Sequence, residues 1–210
     1  SLSRTCSVGD LSLDVSFSRG AAKVRASATA QPGDVLAVSG PNGGGKSSLF
    51  ALLQACARGD AAPPPGLVLG EGAVAVPRTL IHVAQQPYCP LHAVPFDWAT
   101  TRVEASVDDV ASLLDALDFF PGSRTNTTLL TEEQDDFCGS LSGGQRVKFE
   151  LVRQVLLPHE KGLPCPDLLL LDEIFSPLDP ASKATAQKRI KDACPASIVL
   201  AIFHAEAGAC

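Results

Sequence analysis

Lys46 and Ser47 end the run Gly40-Pro41-Asn42-Gly43-Gly44-Gly45-Lys46-Ser47. Glycines at this density let backbone N–H groups turn inward with no Cβ in the way. An ammonium and a hydroxyl at the end of such a loop suit a chain of phosphates, the first as counter-charge and the second as an oxygen ligand for Mg²⁺. Much later, Asp172 and Glu173 follow the apolar run Leu168–Leu171. A carboxylate at the end of a buried strand can hold a divalent cation, and its neighbour can polarise an attacking water. A third group, Leu141-Ser142-Gly143-Gly144-Gln145, places a hydroxyl and glycine N–H groups at a helix start, again a setting for an anion.

These residues need strands and helices in a fixed order. Val35–Val38 reads as a short apolar strand running into the glycine loop, and Leu49, Leu52, Leu53 and Cys56 then fall at helical spacing. Upstream, Leu11–Phe17 alternates apolar and polar residues, as a half-buried strand does, and Val24, Ala26 and Ala28 repeat the pattern. Pro63-Pro64-Pro65 stiffens a connecting loop between Gly59 and Gly66. Val74–Val76 and Leu80–Ala84 read as strands. Ser106-Val-Asp-Asp109 resembles a capping box ahead of a helix through Val107, Val110, Leu114 and Leu117. The stretch 121–139 is polar and loop-like. Ser142 caps a helix expected to run to Leu157 and to stop at Pro158. A helix follows Pro180, and Ser197–Phe203 is the last strand. The order implies an α/β fold whose parallel sheet is covered on both faces, with an added antiparallel β piece and a mainly helical insertion.

Composition narrows the function. The chain has 210 residues, 45% hydrophobic and 19% charged, with a net charge of −6. That is a globular composition without a basic face, so no nucleic-acid partner is expected. An anionic ligand must be held by local groups. No apolar run approaches the roughly 20 residues of a membrane-spanning helix. The cysteines, at positions 6, 56, 89, 138, 165, 194 and 210, show no C-x-x-C pair. Their odd, dispersed pattern reads as reduced thiols in a cytosolic setting.

The glycine loop, the strand ending in Asp172-Glu173 and the Ser142 signature together resemble the ABC-type ATPases, phosphate-loop enzymes of which the signature is distinctive. The resemblance covers roughly residues 11 to 205. It implies a P-loop NTPase (RecA-like) core at about 1–86 and 158–210, with a helical signature-bearing subdomain at about 87–157. It implies ATP and Mg²⁺ as ligands, with Gly40 to Ser48 around the phosphates and Ser47, Gln85 and Asp172 around the metal. Glu173 becomes the group that polarises water, Gln85 the Q-loop glutamine (Gln86 is one residue off) and His204 the switch histidine. Ser176-Pro-Leu-Asp179 resembles the D-loop, in which Asp179 helps link two sites. Ser142, Gly143, Gly144 and Gln145 then face the γ-phosphate held by a second such domain, joined head to tail. The family's aromatic residue that stacks on adenine is replaced here: Arg19 occupies the matching position, and Phe17 is the alternative. The family's closing helix is shortened or missing after His204, as at a truncated C-terminal end.

The resemblance further implies a transmembrane domain, in the same or another chain, and a place on the cytosolic face of a membrane. The segment Pro87–Trp98, with Tyr88, Phe96 and Trp98, lies where the family forms the groove for that domain; the same aromatics could instead pack the helical lobe. Two other readings compete. A soluble ABC ATPase on ribosomes or other machinery shares the motifs. Its chromosome-type branch is disfavoured, because only about 95 residues separate the phosphate loop from the signature and they carry no sustained heptads. A nucleotide-binding regulator that no longer hydrolyses is opposed by the joint presence of Glu173, Gln85 and His204.

Overall fold

The computed structural model describes residues 2–7 and 9–203. The chain divides into two compact units. The first comprises the residues up to His82, the segment Pro166–Glu173 and the stretch from Ala196 onward. It contains two four-stranded sheets. In one, the strands β1 (Leu2–Ser7), β5 (Leu67–Pro77), β2 (Leu11–Arg19) and β3 (Ala22–Ala30) lie in that order. β2 is antiparallel to both β3 and β5, which is the expected antiparallel piece. β1 pairs parallel to β5. Leu11, Leu13, Val15 and Phe17 are buried at every second position of β2, as the alternation requires.

The second sheet runs β4 (Val35–Val38), β8 (Ile198–Ile202), β7 (Leu168–Asp172) and β6 (Leu80–Val83). β8 is parallel to both β4 and β7. β8 is buried at all five positions and β7 at its first four, the continuous apolar reading of strands covered on both faces, whereas β4 at the sheet's edge has Val35 and Ala37 exposed. Helix α1 (Lys46–Arg58) follows β4. Leu49, Phe50, Leu52 and Leu53 of α1 share one buried cluster with Val15 and Val74 of the first sheet and Leu168, Leu170, Ile198 and Leu200 of the second.

β5 is much longer than the expected Val74–Val76 strand. Its early part is interrupted by Gly70 and Gly72, which erase the apolar alternation that marks a strand. Gly70 has a packing reason. A Cβ there would lie 2.4 Å from Ser16 Oγ, and Ser16 accepts a 3.0 Å hydrogen bond from Glu71 N.

The second unit comprises Val83–Cys165 and Ile174–Pro195 and is helical. Its elements are α2 (Pro95–Ala99), α3 (Val107–Ala116), α4 (Thr127–Thr131), α5 (Phe137–Ser140), α6 (Gly143–Leu151), a π-helical turn (Val152–Leu156), α7 (Leu157–Glu160) and α8 (Pro180–Ala193). The polar stretch 121–139 therefore holds two short helices, started by the side chains of Asn126 and Asp136, which cap Thr128 N and Gly139 N. Pro158 does not stop the helix that Ser142 starts. The π turn widens the coil just before it, with Leu157 N bonded to Val152 O, and Pro158 sits in the first turn of α7, where no N–H is required. Within the π turn, Arg153 lies 4.2 Å over the ring of Trp98 and makes a two-pronged ion pair with the buried Glu150.

Ser106 and Asp109 form the expected capping box at α3. Lys161 Nζ, 2.6 Å away, and the Ser106 backbone and hydroxyl all donate to Asp109 and hold its pKa down to about 2. A depressed carboxylate stabilises the fold above its unfolded pKa of about 4 and stops doing so as pH falls through its folded value. Asp109→Asn should therefore cost stability at about pH 5 and progressively less toward about pH 2. Urea midpoints of wild type and variant converging across that window check the assignment.

The expectation of reduced thiols is corrected for four cysteines. Cys89 is bonded to Cys138 and Cys165 to Cys194, while Cys6 and Cys56 are free. Sequence separations of 49 and 29 residues gave no local pattern to read. Among the described residues no helix is long and apolar enough to cross a membrane.

Candidate functional site

Three strands of the first unit bring the glycine loop and the acidic pair to one end of the sheet. Val38 of β4 and Asp172 of β7 both stand level with Ile202 of the intervening β8. With parallel strands about 4.8 Å apart, the ends of β4 and β7 are separated by about 10 Å. The loop leaves β4 and Asp172 ends β7, so both lie at the carboxyl ends of the parallel strands, where open α/β sheets bind ligands.

The loop has the curvature of a phosphate cradle. Gly43 and Gly45 have φ of 75° and 86°, which turns successive N–H groups to one side. Gly44 N bonds to Pro41 O at 3.0 Å, and a Cβ on Gly44 would stand 2.9 Å from the same oxygen. Gly45 is the N-cap of α1, whose first turn holds no acidic residue, so the helix presents an uncompensated positive end. Lys46 Nζ donates to Gly40 O at 2.9 Å and Pro41 O at 3.1 Å, folded back across the loop. Ser47 is exposed, whereas Ser48 is buried beneath the loop, with Arg19 Nη1 3.5 Å from its hydroxyl. Arg19 itself is exposed at the end of β2. Phe17 is 3% exposed and packed in the core, so it has no ring face to offer a base, and the alternative stacking residue is withdrawn.

The acidic pair shows two features that sequence reading missed. Glu173 has φ of 54°, a left-handed conformation that is uncommon for any residue but glycine, asparagine or aspartate. Such strain persists only where the surroundings over-determine it, and it concentrates at active sites. His82, at the end of β6, places Nε2 3.8 Å from Asp172 Oδ2, with its ring edge-on to Phe50. That nitrogen is buried without a hydrogen-bond partner. A lone histidine between Ile81 and Val83, three residues before Gln85, was the available signal. The hydroxyl and carboxylate oxygens of Ser47 and Asp172 are hard donors of the kind Mg²⁺ takes, and at Gly40 and Gly43 a Cβ would meet no atom within 4 Å, so that part of the cradle is open space.

The second unit carries the other expected residues. Ser142 and Gly143 are exposed at the start of α6. Ser142 Oγ accepts from Gln145 N at 3.2 Å, and Gln145 Oε1 accepts from Ser142 N at 2.9 Å, so Gln145 completes the cap. Gly143 and Gly144 are the face on which the loop Ser176–Asp179 packs. A Cβ on Gly143 would meet Pro177 Cβ at 3.0 Å, and one on Gly144 would meet Pro177 O at 3.2 Å. Asp179 caps α8, accepting from Ala181 N and Ser182 N. The Ser182 side-chain and backbone hydrogen bonds keep its pKa below the ordinary carboxylate range. Gln85 and Gln86 are both exposed. His204 lies outside the described residues.

A parallel sheet with a glycine cradle and a strand-end acidic pair defines a P-loop NTPase. Residues 24–176 match the family model described as ABC transporter. The chain is 31% identical over 184 residues to the cyclolysin secretion/processing ATP-binding protein CyaB of Bordetella pertussis, covering 82% of this chain and 24% of that protein. It is 33% identical over 170 residues to the cytochrome c biogenesis ATP-binding export protein CcmA of Pseudomonas syringae pathovar tomato, covering 77% of this chain and 70% of that protein. The solved structure of a bacterial Atm1-family ABC exporter with ATP bound superposes with a TM-score of 0.66 at 21% identity, over 95% of this chain and 36% of that one. The chain belongs to the ABC transporter family as an ATP-binding ATPase domain. It spans about a quarter of the length of the first curated relatives it matches.

Proposed function

We propose that this domain hydrolyses ATP as one half of a head-to-tail dimer and so powers transport of a substrate across a membrane, from the cytosolic face. The observation that carries the reading is the joint presence of a phosphate cradle with its acidic pair in one unit and an exposed, acid-free helix start at Ser142 in the other. The cradle N–H groups and Lys46 hold the β- and γ-phosphates. Ser47 and Asp172 hold Mg²⁺, which when bound neutralises charge on those phosphates. Glu173 takes up the proton side of the attacking water, with Gln85 and His204 orienting water and γ-phosphate. The Ser142 hydroxyl and the Gly143 and Gly144 N–H groups serve the γ-phosphate held by the partner domain. Asp179, in the D-loop packed on those glycines, fixes where they stand. A transmembrane domain, in this or another chain, docks at the segment after Gln85, where Tyr88 and Leu91 are exposed and Tyr88 stands edge-on to Trp98.

Mixing two defective variants tests the shared site. Lys46→Ala removes the cradle charge and Ser142→Arg blocks the signature, so each alone should be inactive. A one-to-one mixture forms heterodimers in about half the population, each with one intact site of two, and should recover about a quarter of wild-type ATPase activity. No recovery, with both variants folded and able to dimerise, would overturn the head-to-tail reading.

Arg19 supplies the base contact in place of an aromatic ring. A guanidinium plane stacks on any nucleobase with little preference, contributing about 0.5–1 kcal/mol at an exposed site. Arg19→Ala should therefore weaken ATP and GTP alike, about two- to fivefold, in fluorescent-nucleotide titrations. Arg19→Tyr should keep ATP affinity near wild type.

A further inference from the structure

We propose that His159, Cys165 and Cys194 form a redox-gated soft-metal site on the helical unit, with zinc(II) as the ion that fits. The three residues come from separate local structures. His159 is in the single turn of α7, Cys165 lies beyond the Gly162 turn that ends it, and Cys194 is the C-cap of α8. Their donor atoms nevertheless all lie within 4.8 Å of one another. His159 Nδ1 is 3.5 Å from Cys165 Sγ. Two tetrahedral ligands on one zinc ion, with Zn–S about 2.3 Å and Zn–N about 2.0 Å, stand about 3.5 Å apart, so this pair already has the spacing of a shared metal. Burial is graded as a site requires. Cys194 is 2% exposed and forms the floor, Cys165 is half-buried, and His159 is exposed at the mouth.

The disulfide between Cys165 and Cys194 is the closed state of this site. A dithiol supplies two electrons and two protons and itself becomes a disulfide; a phosphine supplies two electrons and becomes the phosphine oxide, with water giving the oxygen and the two protons. Either way the S–S bond breaks and two thiols result. Zinc(II) then displaces the two thiol protons and binds two thiolates and the neutral imidazole, with a water completing four-coordination. Cα atoms 5.6 Å apart let side-chain rotation open the sulfurs to about 3.7 Å, the spacing of two thiolates on one zinc. Thiolate and imidazole are donors that select zinc over Mg²⁺, so the nucleotide's own cation does not compete. A reducing compartment favours the open, metal-binding state, and an oxidising one the disulfide. Either link closes the same stretch of sequence, which contains Asp172, Glu173 and Ser176–Asp179.

The site is independent of the transport reading, and its test measures metal and not turnover. The full chain, reduced with a phosphine and stripped of metal, is titrated with zinc(II) against a chromophoric chelator, and with cobalt(II) as spectroscopic probe. The expected result is one zinc per chain, a thiolate-to-cobalt charge-transfer band, and neither after oxidation of the same sample. Cys165→Ser and Cys194→Ser should each abolish the band. His159→Ala changes only an exposed side chain and should fold, yet weaken zinc by more than about tenfold, since loss of even an outer partner of a metal ligand costs that much. Cys89→Ser, which opens the other disulfide, should bind as wild type. The proposal is overturned if reduced wild type takes up no zinc, if uptake persists undiminished in Cys165→Ser or His159→Ala, or if it is lost in Cys89→Ser.

Discussion

Glu173→Gln is expected to lower kcat for ATP hydrolysis by about 10²- to 10⁴-fold, the usual worth of a positioned general base, while the ATP dissociation constant stays near wild type. Glutamine keeps the shape and reach of glutamate but cannot accept a proton. The residues proposed to hold the phosphates lie in the loop after β4 and are untouched. Single-turnover measurements with bound ATP separate the two effects, and full activity in the variant would remove Glu173 from the mechanism. The backbone adds a second, independent prediction. Holding a non-glycine residue at φ of 54° costs about 1–2 kcal/mol. Glu173→Gly should therefore lose activity as Glu173→Gln does, yet unfold at a higher denaturant concentration. A residue kept at a cost to stability, where glycine would relieve the strain, is one retained for its side chain.

The chemistry-bearing parts of the first unit were legible because their residues satisfy two rules at once. Val35–Val38 is both an apolar strand and the only route into the glycine loop, and the structure ends β4 where the sequence does. Leu168–Leu171 is buried at every position, and a run of that length leading straight into two acids fits a strand covered on both faces. Legibility failed where one residue type has two readings. Pro158 reads as a stop, but the preceding π turn makes its position a first turn, and no sequence pattern announces a π turn. The early part of β5 falls outside the expected Val74–Val76 strand, because Gly70 and Gly72, glycines placed for close strand approach, break its apolar alternation. The disulfides and His82 are contacts between residues far apart in sequence. Such pairs are set by the fold and leave no periodicity in a single sequence.

Gly45→Ala is expected to abolish measurable ATP binding and to destabilise the first unit by about 2–5 kcal/mol, from two separable causes. The first is conformational. Gly45 has φ of 86°, the left-handed region, and an alanine there is strained by about 1–2 kcal/mol. The second is steric. A Cβ at Gly45 would lie 2.3 Å from Val24 Cγ2, and both atoms belong to the first unit, where β3 packs against the loop. Relieving that collision must displace either Val24 or the N-cap of α1, at about 1–3 kcal/mol. Displacing the cap moves the N–H groups of Lys46 and Ser47, which turns a packing fault into a binding fault. Val24 is only partly buried, so Val24→Ala alone should be mild. Combined with Gly45→Ala, it should restore the steric share of the stability and leave the conformational share lost. Urea unfolding of the four proteins gives the coupling energy directly. Coupling near zero would mean that β3 does not brace the cradle, and that the loop owes its shape to its glycines alone.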